Sequence, residues 1–296
     1  MATHSQYSSF SSNAWSILSD IEISIKKKVE SVGIPLKDWD VEIYRGVLTG
    51  YNDAFIIDSE KRAEILEKCA TDEEQERTSA IIRPILRGRD IKRYSYDFAD
   101  RYIIATFPSR QYNIDDYQSL KSYLLGFGIE RLEQTGKDYI VDGVKVKARK
   151  KTNNKWFETQ DSISYWDEFS KPKIVWIELS DESKFAICED FIPLNTVFFL
   201  TGDNLLHILG LLNSKLIHWY FTNCLGTSSG AGTNRWLKYT VELLPLLSFD
   251  SEIEALVKKR IQAGSNHISL EAEIDRTICS KYGLEDDEIY YITGNL

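Results

Sequence analysis

Six basic side chains and no acid fall within residues 145–155: Lys145, Lys147, Arg149, Lys150, Lys151 and Lys155, with Asn153 and Asn154 among them. Cations of this kind neutralise phosphates, while amides and arginine can pair with base edges through bidentate hydrogen bonds. A second basic stretch, IIRPILRGRDIKRY (81–94), sets Arg83, Arg87, Arg89, Lys92 and Arg93 against one acid, Asp90. A third segment, GTSSGAGTNRW (226–236), has small residues that permit close backbone approach and ends near Arg235, a candidate phosphate or guanine contact. An ordinary surface loop explains that segment nearly as well. The chain carries a formal net charge of −9, so local basic stretches point to a directed surface rather than general stickiness. Acidic runs lie elsewhere, in TDEEQE (71–76), SDES (180–183) and EDDE (285–288), and read as solvated faces and turns. Phosphate contacts depend on charge within a Debye length of about 8 Å, so the global balance does not forbid them.

Asp142-Gly143 between β-formers is a strong signal for a two-residue hairpin. On its return strand, alternation places Val144, Val146 and Ala148 on one face and Lys145, Lys147 and Arg149 on the other. A basic β-ribbon followed by an amide-rich loop suits groove docking. A solvated hairpin with surface lysines is the plainer alternative; with the 81–94 cluster beside it, the DNA reading is preferred. Upstream, RGVLTGYNDAFIID (45–58) reads as strand, Thr-Gly-x-Asn turn and strand, with Gly50 and Asn52 suited to the turn. Strands are predicted at 101–107, 173–179, 184–188 and 196–200, and helices at 14–32, 59–68, 114–126 and 203–221. From residue 249 onward two helices follow, with Ile253, Leu256, Val257 and Ile261 on the first stripe and Leu270, Ile274, Ile278 and Tyr282 on the second. Such a pair should dock on something, for which the helix at 14–32 is a candidate.

Composition excludes several classes. Apolar content of 43% and charged content of 27% are ordinary for a globular protein. Most of the abundant aromatic residues belong to a β-rich core. Four scattered cysteines lack metal-ligand spacing and fit reduced thiols. The polar N-terminal stretch argues against export, the apolar run at 205–221 is too short and polar to span a membrane, and a cytoplasmic location is expected. The G-x-S-x-G spacing around Ser228 lacks the preceding strand of a nucleophile elbow, and the loop lacks the G-K-[ST] ending of a phosphate loop. His207 and His218 are too far apart in sequence to pair on a metal and should border the core. The six prolines are never adjacent, so the [DNS]-P-P-[YFW] motif of adenine-N6 methyltransferases is impossible here, and no F-x-G-x-G cofactor strand exists. No catalytic centre is visible, and no cofactor or metal is expected in this chain.

Several blocks in order resemble the target-recognition domain of TaqI-like adenine DNA methyltransferases and fused type IIG restriction–modification enzymes: the 45–58 and 81–94 segments, KWFETQ (155–160), KPKIVWIEL (171–179), LLHILGLLNSKLIHWYF (205–221) and LEAEIDRTICSKYGLEDDEI (270–289). The resemblance implies an α+β domain with a mixed β-sheet flanked by terminal helices. It implies double-stranded DNA as one partner. A methyltransferase catalytic domain, in cis or trans and carrying S-adenosylmethionine, would be the other. This chain would then be a C-terminal fragment or a stand-alone subunit, non-catalytic by itself. The expected organisation is a helical linker over 1–40, a recognition domain over 41–247 and a helical tail over 248–296. Base contacts vary within such domains, so the candidate DNA contacts rest on charge and pattern alone, with both basic segments expected on one wall. The competing reading is a protein-interaction scaffold docking through its amphipathic end helices.

Overall fold

The computed structural model describes residues 18–225, 234–264 and 267–294. Its centre is a pair of four-stranded sheets. The first is antiparallel throughout, in the order Phe185–Cys188, Lys173–Ile177, Val197–Gly202, Val41–Arg45. The second is mixed, in the order Ile192–Pro193, Ile82–Leu86, Tyr102–Ile104, Ile56–Ile57, with the first pair parallel and the others antiparallel. The chain crosses between them where Val47 bridges Leu194 and Gly46 N donates to Val197 O at 2.8 Å.

Alternation along the strands explains the layering. Ile174, Trp176, Phe198 and Leu200 face one core, shared with helices Asp20–Val32, Leu205–Asn213, Ser251–Gln262 and Ile268–Lys281. Val175, Val197 and Phe199 face the opposite way, against Ile85 and Ile103 of the second sheet. The far side of that sheet, through Ile82 and Ile104, is covered by Ile65, Ile81 and Leu120 of helices Ser59–Glu67, Asp72–Ile81 and Gln118–Leu125. Helix, sheet, sheet and helix thus stack with three apolar seams, and the α+β class expected from the sequence holds. Strands buried on both faces read as continuous apolar runs, as KIVWI does.

Local chemistry sets several boundaries that pattern alone missed. Asn52 does not sit in a turn with positive φ; it opens a single helical turn, Asn52–Phe55, while Thr49 Oγ1 donates to Asn52 Oδ1 at 2.7 Å. The long helix expected at 203–221 is divided into Leu205–Asn213 and Lys215–Tyr220. The Asn213 side chain bonds both backbone groups of Phe185, and Ser214, extended at ψ 148°, caps the second piece through Ile217 N. TDEEQE forms the start of helix Asp72–Ile81, a solvated face as expected except at Glu74, which is buried and accepts from Ala70 N and Ser119 N. The tail gains a third helix, Asp286–Gly294, built on the EDDE run.

The end helices close on each other, as their apolar stripes require. Lys28 Nζ and Ser24 Oγ both bond Glu288 at 2.7 and 2.6 Å, and Tyr291 OH donates to Glu22 at 2.8 Å. Ile25, Val29, Ile253, Val257, Ile274 and Ile278 share the core of the first sheet, so these end helices are built into the body. Burial alone would raise the Glu288 carboxyl, but the bonds from Lys28, Ser24 and Glu285 N hold it below the usual carboxylate range. A depressed folded-state carboxyl contributes stability above the unfolded value of about 4.3, lost as pH falls through the folded value. We therefore expect Glu288→Gln to be less stable than the parent at pH 7, with the difference shrinking below about pH 4.3; urea unfolding across pH 3–7 measures it.

Candidate nucleic-acid interface

Residues 148–152 run beside 133–137 through Ala148 N to Lys137 O, Gly136 N to Arg149 O and Thr152 N to Gln134 O, at 2.9–3.0 Å. The ribbon Asp138–Val141 and Val144–Lys147 continues this pairing outward. At its tip Asp142 (φ 49°) and Gly143 (φ 79°) both take positive φ, the geometry of the two-residue turn expected there. Directly opposed residues share a face, so Asp138, Ile140, Lys145 and Lys147 lie together and Tyr139, Val141, Val144 and Val146 lie on the other side. Ile140 is 72% exposed and Val144 64%, so neither face is covered by the rest of the protein. A free two-stranded ribbon is marginal alone. Its base is held by Arg131 Nη1 to Lys147 O at 2.7 Å and by the residue that follows Ala148.

That residue, Arg149, corrects the strand-alternation reading. The strand ends at Lys147, and Arg149 turns inward to 2% exposure. Its guanidinium donates to four carbonyls: Leu132 O at 2.8 Å, Thr49 O at 3.0 Å, Glu158 O at 2.8 Å and Trp156 O at 2.6 Å. Burial, reinforced by the Arg131 charge, pushes it down to about 10, still charged at neutral pH. Arg149 is a tie between segments, buried out of reach of a phosphate. Asn154 is corrected likewise, since its Nδ2 donates to Thr159 O and Gln160 O at 3.1 and 2.8 Å.

The upstream cluster is largely engaged within the protein. Arg83 reaches Asp190, with Nη2 3.5 Å from its carbonyl and 3.8 Å from its carboxylate. Arg87 makes a two-pronged bond to Asp90, both at 2.7 Å, and Lys92 pairs with Asp97 at 2.5 Å. Arg93 faces Glu271 at 3.3 Å and Asp275 at 3.9 Å on the C-terminal helix Ile268–Lys281. Of the five, Arg89 alone is exposed without a carboxylate partner among the described residues. Four of the five are therefore engaged with acids of the protein itself. Arg235 pairs with Glu178 at 2.5 Å; the rest of its small-residue loop, 226–233 with Ser228, lies outside the described residues.

Downstream the picture reverses. Lys147, Lys150, Lys151 and Lys155 are exposed and have no carboxylate partner among the described residues; Lys145 shares Asp138 at 2.8 Å. Asn153 is exposed with its carboxamide free of bonds to the described residues. Arg131 and Lys137, which charge counting passed over, join this strip. Where it ends, a cleft of about 450 Å³ opens between Thr152 and Asn154 on one side and residues 160–165 on the other. Beside it Arg110, also missed, lies 3.7 Å above the Trp166 ring, exposed and with no carboxylate partner among the described residues. Only the fold brings Arg110 to this cleft, through Ser109 N and Oγ bonded to Ser162 O and Ile163 O. Among the described residues no group of three or more His, Cys, Asp or Glu is placed to hold a metal ion, and no helix is long and apolar enough to cross a membrane.

Residues 83–246 match the TaqI-like C-terminal specificity domain. The chain belongs to that family. Two solved structures share the fold. One is the type IIL restriction-modification enzyme MmeI in complex with DNA, at TM-score 0.55 and 12% identity, covering 88% of this chain and 35% of that one. The other is the type IIG restriction endonuclease BpuSI, at TM-score 0.51 and 13% identity, covering 93% of this chain and 33% of that one. The specificity-domain chain thus spans about a third of the length of each. No curated protein matches the sequence.

Because Arg149 satisfies four carbonyls at once, Arg149→Met should lower stability by about 3 kcal/mol or more, and Arg149→Lys should recover part of it. Urea midpoints compare them.

Proposed function

We propose that this chain is the sequence-reading DNA module of a restriction–modification enzyme, non-catalytic by itself. The observation that carries the reading is the strip of exposed lysines from Lys137 to Lys155, all but Lys145 without a carboxylate partner among the described residues, on a projecting ribbon and its following loop, in a chain otherwise rich in acids. Unpaired, exposed lysines remain available for phosphates, whereas the ion-paired Arg83, Arg87, Lys92 and Arg93 would first have to release their acids. Lys147, Lys150, Lys151 and Lys155 are the phosphate contacts of this reading, with Asn153 able to reach base edges and Arg89 and the ion-paired Lys145 and Arg235 secondary. A major groove about 12 Å wide admits a two-stranded ribbon. Membership of a specificity-domain family supports the same reading, as does the likeness to MmeI, whose structure is in complex with DNA.

In this reading adenine methylation belongs to a methyltransferase half, joined in cis or trans, which would bring S-adenosylmethionine and take the flipped base. The residues of the present chain hold the duplex. The alternative of a scaffold docking through its end helices loses its surface, because their apolar stripes are already buried in this protein's own core.

Affinity for duplex DNA should fall steeply with salt, with a slope of about −0.9 for each phosphate neutralised. Lys150→Glu with Lys151→Glu should weaken binding on all sequences and flatten the slope by roughly one to two units. Fluorescence anisotropy at 50–300 mM salt checks this, and flat or absent binding by the unaltered chain would overturn the proposal.

A further inference from the structure

The cleft beside the lysine strip has a chemistry different from the strip itself. Its lining offers a carboxamide at Gln160, a carboxylate at Asp161 and hydroxyls at Ser162 and Ser164. Much of the surrounding polarity is already satisfied: Asn154 clamps the backbone, Thr152 Oγ1 donates to Gln134, Asp161 accepts from Leu48 N at 3.1 Å, and Tyr165 OH donates to Arg45 O. Gln160 is the exception. Its backbone is fixed at both ends, N donating to Thr49 O and O accepting from Asn154, while its half-buried carboxamide bonds nothing among the described residues. The side chain packs beside Gly50, where a Cβ would come to 3.0 Å from Gln160 Oε1 and 3.3 Å from the Arg149 side chain.

The segment that follows Gln160 on the same wall is also held in place. Ile163 is buried at φ 48°, a conformation costly for a β-branched side chain, and Ser109 bonds its carbonyl. The consequence is that Ser162 and Ser164, on either side of it, are both exposed. A phosphate would be repelled by the Asp161 carboxylate. Base edges present neighbouring donors and acceptors, which a carboxamide, a carboxylate and two hydroxyls can match, with Gln suited to adenine and an acid to the cytosine amino group. Arg110, fixed over Trp166 just outside, is positioned for the adjoining phosphate.

We propose that this cleft reads base edges, with the Gln160 carboxamide as a specificity-determining group and Arg110 as the backbone contact that sets the register. The inference rests on the DNA reading above and divides its labour: the lysine strip supplies affinity, the cleft supplies discrimination.

The test uses the full chain and a pool of randomised 20-base-pair duplexes, from which bound molecules are selected and sequenced. The unaltered chain should enrich one word. Gln160→Ala should lose preference at one or two positions of that word, by about tenfold to a hundredfold, with an unchanged salt slope. Gln160→Glu, which keeps size and shape, should change the base preferred there, and it answers the question should the alanine variant fail to fold. Arg110→Ala should weaken every sequence alike and reduce the salt slope by about one. If both Gln160 variants enrich the parent's word, the cleft does not read bases although the DNA reading stands; if the parent binds with salt dependence but enriches no word, DNA binding stands while the cleft proposal and the sequence-reading part of the proposed function fall. If the parent does not bind the pool at low salt, both fall together.

Discussion

A single buried guanidinium holds the candidate interface together. Arg149 ties the turn at Thr49, the end of the single-turn helix Ile129–Leu132 and the loop at Trp156 and Glu158, and it does so through backbone carbonyls alone. A planar fork with five donors can serve several acceptors in fixed directions, which an ammonium cannot. Four carbonyl dipoles stand in for the missing carboxylate and keep the charge tolerable. Gln134 reinforces the same junction, its Nε2 donating to Lys155 O and Glu158 O at 3.1 Å. The lysine strip and the polar cleft are the two surfaces that this tie leaves facing outward.

This arrangement separates rigid from free. The ribbon stands clear of the body, with apolar Ile140 and Val144 uncovered at its sides. Its root is pinned by the Arg131 bond to Lys147 O and by the pairing of 148–152 with 133–137. Isolated exposed apolar residues are unremarkable on a protein surface; on a cationic ribbon they also have the chemistry to meet thymine methyl groups in a groove. Meanwhile the acids that give the chain its negative charge are concentrated in ion pairs and helix starts. Glu74, Glu288 and Asp275 are buried and hydrogen-bonded to backbone or side-chain partners.

The sequence was sufficient wherever the cause is local. The Asp142-Gly143 turn forms as expected because only a few residues tolerate two successive positive φ values. The strands at 173–177 and 197–202 follow from unbroken apolar runs, and the end helices from stripes that needed burial. The α+β class and the family followed from blocks of local pattern in order. By contrast, charge counting could not tell a free cation from a paired one. Arg83 and Arg93 look equivalent to Lys150 in sequence, yet their acids, Asp190, Glu271 and Asp275, arrive from more than a hundred residues away.

What tertiary structure alone decided is which polar groups remain unsatisfied. Alternation projected Arg149 onto the lysine face, but the strand stops at Lys147 and the carbonyls of three distant segments draw the guanidinium inward. Arg110 and Gln160 carried no signal, being a lone arginine and a lone glutamine; the Ser109 bonds bring Arg110 beside the cleft that Gln160 lines. Sequence fixes the inventory of donors, acceptors and charges. Folding determines which are consumed internally, because a buried polar group must find a partner wherever the chain can supply one, and only the remainder can meet a ligand.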